Sequence, residues 1–212
     1  MVMRWFLANK FVRGFRRWGC FGVARFWITR IGYKVLWSNG PRNGEWDYVL
    51  QYLPPLEKWY RGLVSVLDVG CSESLLIYEI ARRGYVTSGL DQRAYQERLP
   101  NCIKFYQHNI TEPLDTPQLF DYIISVSTVE HIGRGGYGDN KVKHGDRKAV
   151  ENIYRLLKHH GFFIVTVPLW YWATDTGRGY TYGSFKRLIE GLFEIHEITQ
   201  RSGQLCAVLC RL

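Results

Sequence analysis

Apolar and polar residues follow two different spacings along the chain. Short runs that are almost wholly apolar, such as 64–69, alternate with longer stretches in which apolar residues recur every three or four positions. The short runs are typical of buried parallel strands, and the longer stretches are typical of amphipathic helices. The pattern predicts strands at 64–69, 85–90, 103–106, 122–126 and 162–167, and helices at 45–53, 75–83, 146–159 and 185–192.

Two more strands are predicted at 193–199 and 205–211, and the short turn Ser202-Gly203 between them indicates an antiparallel hairpin. Repeated strand-helix-strand units predict a parallel sheet with helices on both faces. The expected fold is therefore α/β: a doubly wound, Rossmann-like sheet of about seven strands with an antiparallel C-terminal hairpin. In such a sheet the ligand lies beyond the carboxyl ends of the strands, beside the first strand.

Charge divides the chain into two parts. Residues 1–44 carry nine Lys or Arg side chains, no carboxylate, and four of the eight tryptophans. The net charge of +9 is therefore located there, because residues 45–212 carry 19 basic and 19 acidic side chains. We expect a basic, aromatic, helical N-terminal appendage over 1–44 and a separate α/β domain over 45–212.

Several roles for the appendage stay open. An amphipathic basic and aromatic segment can lie on an anionic membrane surface, and the same composition can bind RNA through phosphates and stacked bases. It also has the arginine-rich, acid-free character of a transit peptide, although it is poor in serine. The simplest alternative is a helical subdomain whose basic side chains are solvated. Peripheral contact with an anionic membrane is favoured over RNA binding.

Composition sets the class of protein. Hydrophobic residues make up 46% of the chain and charged residues 22%, which is ordinary for a globular protein. No apolar run approaches the ~20 residues needed to span a bilayer, so no transmembrane segment is expected. Five cysteines without a repeated close spacing argue against a disulfide framework and a zinc cluster. A cytoplasmic location, with possible peripheral membrane contact, is expected.

Polar residues follow the first three predicted strands, where a ligand would lie. Asp68 and Gly70 belong to a small-residue loop after the first strand, and Asp91 ends the second. Asp91 follows the loop at nearly the separation of about 20 residues at which an acid accepts hydrogen bonds from a ribose diol. Asn109 and Ile110 follow the third strand and offer a polar group and an apolar surface to a purine. Together these loops indicate a nucleoside site.

At these residues the chain resembles the class I S-adenosylmethionine-dependent methyltransferases. Val66-Leu67-Asp68-Val69-Gly70-Cys71 resembles their first motif, and Asp91, Asn109 and the run 120–125 resemble their later motifs. The resemblance covers about 45–212 and implies a catalytic domain that binds S-adenosylmethionine. Ser127-Thr128-Val129-Glu130-His131-Ile132-Gly133 with Gly136-Tyr137-Gly138-Asp139 is similar to a subgroup often associated with surface-glycan synthesis.

The resemblance also implies roles for individual residues. Asp68, Gly70 and Cys71 would hold the amino-acid part of the cofactor, Asp91 and Gln92 the ribose, Asn109 and Ile110 the adenine, and Ser127 would lie near the methyl group. One departure is that Ser72 and Ser74 stand where the family usually has glycines, which makes the loop less permissive.

A base should assist transfer to a hydroxyl, and the candidates near the loop after the fourth strand are Glu130, His131, His144 and Asp146. His131 is the first choice, because histidine titrates near neutral pH. A structural histidine that orients this loop is an equal alternative. Glu130-His131 also resembles the Glu-x-x-Glu-His metal motif of some O-methyltransferases, but Ser127 replaces its first glutamate, so no metal is expected.

The sequence therefore predicts an S-adenosylmethionine-dependent methyltransferase that acts on a small-molecule or glycan acceptor, at oxygen. The glycine-rich segment 133–145 is expected to form an acceptor-side loop, because long loops of this kind are often functional. Trp170, Tyr171, Trp172 and Tyr180 would add aromatic surface on the same side. Two alternatives remain: a non-catalytic scaffold that keeps the cofactor fold, and an RNA-binding protein that uses the basic N-terminal arm.

Overall fold

The structure is a computed structural model that describes residues 43–72, 74–95, 99–138, 140–170 and 173–212. The basic appendage, apart from its last two residues, lies outside the described residues. So do its expected membrane and RNA contacts, and so do Tyr171 and Trp172. Within the described part of the chain, no helix has the length and apolar character needed to cross a membrane.

The described chain folds into helices and strands that alternate as the sequence predicts. The helices are α1 (Asn43–Tyr52), α2 (Leu76–Arg82), α3 (Gly145–Leu156) and α4 (Tyr182–Ile189). The strands are β1 (Ser65–Val69), β2 (Val86–Asp91), β3 (Lys104–Gln107), β4 (Phe120–Val126), β5 (Leu157–Pro168), β6 (Phe193–Arg201) and β7 (Gln204–Arg211).

The seven strands form one sheet in the order β3-β2-β1-β4-β5-β7-β6. β1 pairs in parallel with both β2 and β4, so the strand order reverses at β1. β7 inserts between β5 and β6 and is antiparallel to both. The predicted doubly wound sheet with an antiparallel hairpin is confirmed. Because β1 to β5 run in one direction, their carboxyl ends meet at one edge of the sheet.

Two layers of helices cover the sheet. On one face, α1 and α2 pack against β1, β4, β5 and β7 through buried residues such as Tyr48, Leu76 and Ile124. On the other face, α3 and α4 pack through residues such as Ile153 and Phe185. Every residue of β1 is buried, as its apolar sequence predicts for a central strand.

Several predicted boundaries of α3, β5 and α4 are wrong by three or more residues. The helix expected to reach His159 ends at Leu156, because Leu157 already pairs with Phe120 of β4. The next pair is Tyr122 with Phe162, so 158–161 leave the pairing between the two pairs, and 158–160 are exposed. The helix expected from 185 begins three residues earlier, at Tyr182.

That earlier start has a local cause. The Thr181 side chain accepts a hydrogen bond from the Ser184 backbone N–H, while the Ser184 hydroxyl accepts one from the Thr181 N–H. This reciprocal cap satisfies backbone donors that a helix start otherwise leaves open, and it contributes about 1 kcal/mol.

Candidate active site

A cavity opens at the edge of the sheet where β1, β2, β3 and β4 end. We call it the edge cavity. Seven of the ten residues predicted for the site line it, and they come from four separate strand-end segments: Gly70, Asp91, Gln92, Asn109, Ile110, Ser127 and His131. The other three, Asp68, Cys71 and Glu130, are not among the described residues that line the cavity.

Gly70 turns the chain at the end of β1. Its φ is +83°, in the left-handed region that favours glycine, and its N–H donates to the Leu90 carbonyl at 2.8 Å. A Cβ on Gly70 would collide with the side chain of Thr128, whose own Cβ would lie 2.8 Å away. The position therefore requires glycine both for its backbone angle and for close contact with the β4 loop.

Asp91 ends β2 and holds the neighbouring loop. Its Oδ2 accepts from the Ser72 backbone N–H at 3.0 Å, and its Oδ1 accepts from the Arg93 N–H at 2.9 Å. The Arg93 Nε lies 3.7 Å from Oδ1. An ionised carboxylate offers about four lone-pair directions, so each oxygen can still accept from a ligand. Asp91 is thus a fixed acceptor on the cavity wall.

Asp68 lies beneath the loop and is only 3% exposed. Its Oδ2 has no hydrogen-bond partner among the described residues. Burial, and secondarily the charge of Asp91, raise the pKa of Asp68 to about 7. Two carboxyl groups therefore lie side by side, one on the wall and one behind it, and together they favour a ligand that brings hydrogen-bond donors.

The Cys71 side chain packs in an apolar cluster behind the loop that follows β1. Its side chain is fully buried among Ile77, Tyr78 and Ile103, with Sγ 3.9 Å from the Leu90 carbonyl. Burial raises the pKa of this thiol well above its usual value. A protonated thiol inside an apolar cluster supports the loop from below, whereas the resemblance to the methyltransferase motif implied a position against the cofactor.

The third strand-end segment forms the side of the cavity. The Asn109 Oδ1 accepts from both the backbone N–H and the hydroxyl of Thr111, each at 3.0 Å, and this fixes the turn. Ile110 is 5% exposed, and its carbonyl accepts from Asn152 Nδ2 of α3 at 2.9 Å. Gln92, on the facing wall, accepts from Gln107 through its backbone carbonyl. The turn and α3 therefore hold this wall in place.

Ser127 reaches the cavity from the end of β4, and a residue that sequence reasoning missed holds it there. Its Oγ donates to Glu45 Oε1 at 2.6 Å, and Thr166 Oγ1 donates to the same oxygen at 2.5 Å. Glu45 is 4% exposed, and Ser127 has a φ of +45°. The available signal was that Glu45 shares the buried face of α1 with Tyr48 and Val49.

His131 lines the cavity with a defined ring orientation. Its Nδ1 lies 2.6 Å from the Thr176 carbonyl oxygen. A carbonyl oxygen only accepts, so Nδ1 carries the hydrogen and the Nε2 of the neutral ring keeps its lone pair. Nε2 lies 3.8 Å from Glu130 Oε1. The buried Glu130 carboxylate can therefore stabilise the ring after it takes up a proton.

Arg93 and Tyr137 complete the cavity and were not predicted for the site. Tyr137 is 58% exposed and has a φ of +55°. Its ring meets the His131 ring edge-on at 5.1 Å, and the Arg93 guanidinium lies 5.4 Å from its centre. The sequence signal is an aromatic residue between two glycines, Gly136 and Gly138, in a long loop.

Among the described residues, no group of three or more His, Cys, Asp or Glu side chains could hold a metal ion. The expectation that Glu130 and His131 act without a metal stays a prediction.

Three comparisons with known proteins bear on this site. A family profile described as "Caenorhabditis protein of unknown function, DUF268" matches residues 90–204, more than half of the chain. Among curated proteins, the ubiquinone biosynthesis O-methyltransferase of Rickettsia akari (strain Hartford) is 23% identical over 94 residues, which cover 41% of this chain and 38% of that protein. The chain thus spans about two fifths of the length of this curated relative.

Solved structures with a similar fold are methyltransferases. The 1,6-didemethyltoxoflavin-N1-methyltransferase of Burkholderia thailandensis, solved with S-adenosylhomocysteine, has a TM-score of 0.63 at 15% identity, over 85% of this chain and 82% of that one. A TehB-like methyltransferase of Corynebacterium glutamicum gives 0.58 at 20%, over 80% and 88%. The N-methyltransferase NodS of Bradyrhizobium japonicum gives 0.57 at 12%, over 87% and 93%. These identities show a shared fold, that of class I S-adenosylmethionine-dependent methyltransferases.

Proposed function

The chain belongs to the family described as Caenorhabditis protein of unknown function, DUF268, and we propose that it is an S-adenosylmethionine-dependent methyltransferase. The proposed acceptor is a hydroxyl oxygen of a small molecule or glycan. The observation that carries the proposal is Asp91: a buried carboxylate at the end of β2, on the cavity wall, beside the loop that follows β1.

The residues around the edge cavity fit this cofactor. The free lone pairs of Asp91 suit the two hydroxyl donors of a ribose, and Ile110 offers an apolar surface to an adenine ring. Beneath the loop, the Asp68 Oδ2 is a buried acceptor for which the described residues provide no donor. A buried acceptor without a donor costs about 1–3 kcal/mol, so an amino group of the ligand that reached Asp68 from the cavity would remove this cost.

S-adenosylmethionine, when bound, supplies a sulfonium methyl group that is already activated for transfer. The chain's own contribution is then to position the acceptor and to manage its proton. His131 Nε2 is the proposed base, since its lone pair is available in the tautomer that the Thr176 carbonyl selects. Glu130, 3.8 Å from that nitrogen, would stabilise the resulting imidazolium.

The choice of oxygen as the methylated atom has two supports. A base beside the cavity is needed for a hydroxyl acceptor, and the curated relative is named as an O-methyltransferase. The glycan acceptor comes from the resemblance of the 127–139 region to a subgroup associated with surface-glycan synthesis. An enzyme of this kind that works on lipid-linked glycan would also suit a basic N-terminal segment.

Calorimetric titration with S-adenosylmethionine and with S-adenosylhomocysteine tests the proposal. We expect micromolar binding of both ligands, a loss of at least tenfold in affinity for Asp91→Ala, and no change for Asp115→Ala, which removes an exposed carboxylate elsewhere. His131→Gln should keep cofactor affinity within about threefold, because its proposed role concerns the acceptor. Folded protein that binds neither ligand would favour the scaffold alternative.

A further inference from the structure

A second cavity adjoins the edge cavity on the side of α3, and we call it the basic cavity. Its walls come from the described residues 133–135 and 141–146 and from the segment before Tyr180. Four permanently charged basic side chains line it, Arg134, Lys141, Lys143 and Arg178, with two acidic ones, Asp146 and Asp175. The described part of 45–212 is otherwise mixed in charge, so this is a local concentration of positive charge.

The charges in the basic cavity are not all equivalent. Arg178 lies 3.4 Å from the Asp146 carboxylate and donates to the Ile132 carbonyl at 2.7 Å, so it serves the structure. Lys141 and Lys143 are exposed, and neither forms an ion pair with a described carboxylate. With Arg178 balanced by Asp146, the permanently charged side chains among the described lining residues leave three cations, Arg134, Lys141 and Lys143, and one anion, Asp175, which is an excess of two positive charges.

Arg134 adds a directional donor to this excess. Its Nη2 donates to the Thr174 carbonyl at 2.5 Å, which fixes the side chain. Its Nε is buried and has no acceptor among the described residues. Because a guanidinium binds oxyanions through several N–H groups in one plane, a fixed Arg134 suits an oxyanion better than a mobile lysine alone does.

The loop that carries these cations is tied down. Arg134 and Lys141 form an antiparallel bridge, and the Val142 N–H donates to the Gly133 carbonyl at 3.0 Å. Gly133 has a φ of +73°, and a Cβ there would lie 2.6 Å from the Val142 carbonyl oxygen. The cationic groups are therefore presented by a closed turn, which reduces the entropy lost when an anion binds.

The basic cavity lies next to the proposed base. The carbonyl of Thr176, which lines the basic cavity, orients the His131 ring that lines the edge cavity. A Cβ on Gly136, also on the edge cavity wall, would lie 3.2 Å from the Thr176 Cβ. The linings of the two cavities therefore meet at Gly136 and Thr176.

From these observations we infer that the basic cavity binds a phosphomonoester group of the methyl acceptor, and this inference rests on the proposed function. A phosphomonoester is close to a dianion above pH 7, which matches the excess of two positive charges. Its three oxygens accept several hydrogen bonds at once, as the guanidinium and the two ammonium groups require. With the phosphoryl group held by Arg134, Lys141 and Lys143, a hydroxyl of the same acceptor is presented to His131.

Binding of simple anions to the full-length protein tests this inference. The probes are methyl phosphate, dimethyl phosphate and acetate, titrated at pH 8 and constant ionic strength and followed by amide chemical shifts. We expect methyl phosphate to bind at least tenfold more tightly than the other two. The Lys141→Gln/Lys143→Gln double variant should lose at least tenfold in methyl phosphate affinity. The control Lys58→Gln/Lys186→Gln removes two exposed positive charges elsewhere and should lose none.

The outcomes separate the inference from the proposed function. If methyl phosphate binds equally to the wild type and to both double variants, or binds to none of them, the basic cavity is not an anion site, even if S-adenosylhomocysteine binds. Tighter binding of dimethyl phosphate or acetate would overturn the phosphomonoester. Methyl phosphate binding that depends on Lys141 and Lys143, in a protein that does not bind S-adenosylhomocysteine, would keep the anion site and reject the methyltransferase.

Discussion

Asp68 is a residue whose buried carboxyl group makes stability depend on pH. Its pKa is raised from 3.8 to about 7 in the folded protein. Between these pH values the folded protein keeps a proton that the unfolded chain releases, so this group lowers the free energy of unfolding as pH rises from about 4 to about 7. Well above pH 7 the Asp68 carboxyl group is ionised in both states, and its full destabilising effect on the folded protein is present.

We therefore predict that the free energy of unfolding of Asp68→Asn, minus that of the wild type, increases as the pH is raised from 4 to 8. A rise of about three pKa units corresponds to a few kcal/mol, since one unit is worth about 1.4 kcal/mol. Urea denaturation at both pH values measures the difference. Asp115→Asn, at an exposed position, should show no such trend. A gain for Asp68→Asn of the same size at both pH values would show that the carboxyl group is not the cause.

Comparing alanine substitutions at Gly70 and Gly62 separates the cost of a left-handed backbone from the cost of a steric clash. Gly62 has nearly the same φ, +78° against +83°, but a Cβ at Gly62 would meet nothing within 4 Å. Gly62→Ala should therefore cost about 1–2 kcal/mol for the left-handed backbone alone. Gly70→Ala should cost about 1–3 kcal/mol more, because Thr128 must move. Chemical denaturation measures both, and equal costs would mean that the Thr128 contact is unimportant.

Some residues of the candidate site could be predicted from the sequence and others could not. Gly70, Asp91 and Asn109 were predicted because they directly follow strands, and parallel strands bring their ends together whatever the details of packing. Glu45 and Thr128 depend on contacts between distant segments, Glu45 with Ser127 and Thr128 with Gly70. No local pattern encodes such pairs. The buried position of Cys71 could not be predicted, because a motif shows which residues form the loop but not which side of it each one faces.

At the scale of elements, α1 is connected to the site through one carboxylate. Glu45 accepts from Ser127 and Thr166, at the ends of β4 and β5, and so joins the first described helix to the edge cavity. Removing it leaves two hydroxyl groups without their acceptor in a buried place. A buried polar group that loses its partner costs about 1–3 kcal/mol.

Glu45→Ala is accordingly predicted to lower the free energy of unfolding by about 2 kcal/mol and to weaken S-adenosylhomocysteine binding several-fold. Asp47→Ala is the matched control, because it removes an exposed carboxylate from the same helix and the same net charge. Denaturation and calorimetry on the two variants give both quantities. The connection would be refuted if Glu45→Ala behaved like Asp47→Ala in both measurements.

Element types were predicted correctly, whereas several element boundaries were not. The alternation of apolar runs and amphipathic stretches indicated every strand of the sheet, and the apolar run is clearest where the strand is buried on both faces, as in β1. The end of α3 was predicted too late, because the pairing of Leu157 with Phe120 of β4 prevents the helix from continuing past Leu156. That pairing is a tertiary contact. The start of α4 was placed too late for a local reason, the cap formed by Thr181 and Ser184.

At the scale of the whole molecule, charge and fold are arranged independently. The excess of +9 belongs to residues 1–44, and the remaining chain has equal numbers of acidic and basic side chains. A balanced domain attracts an anion weakly at long range, since charges beyond a Debye length of about 8–10 Å are largely screened. Anion binding at the basic cavity must therefore come from the local placement of Arg134, Lys141 and Lys143. The sheet makes this division possible, because the edge where β1 to β4 end carries the proposed chemistry while both faces are occupied by core packing.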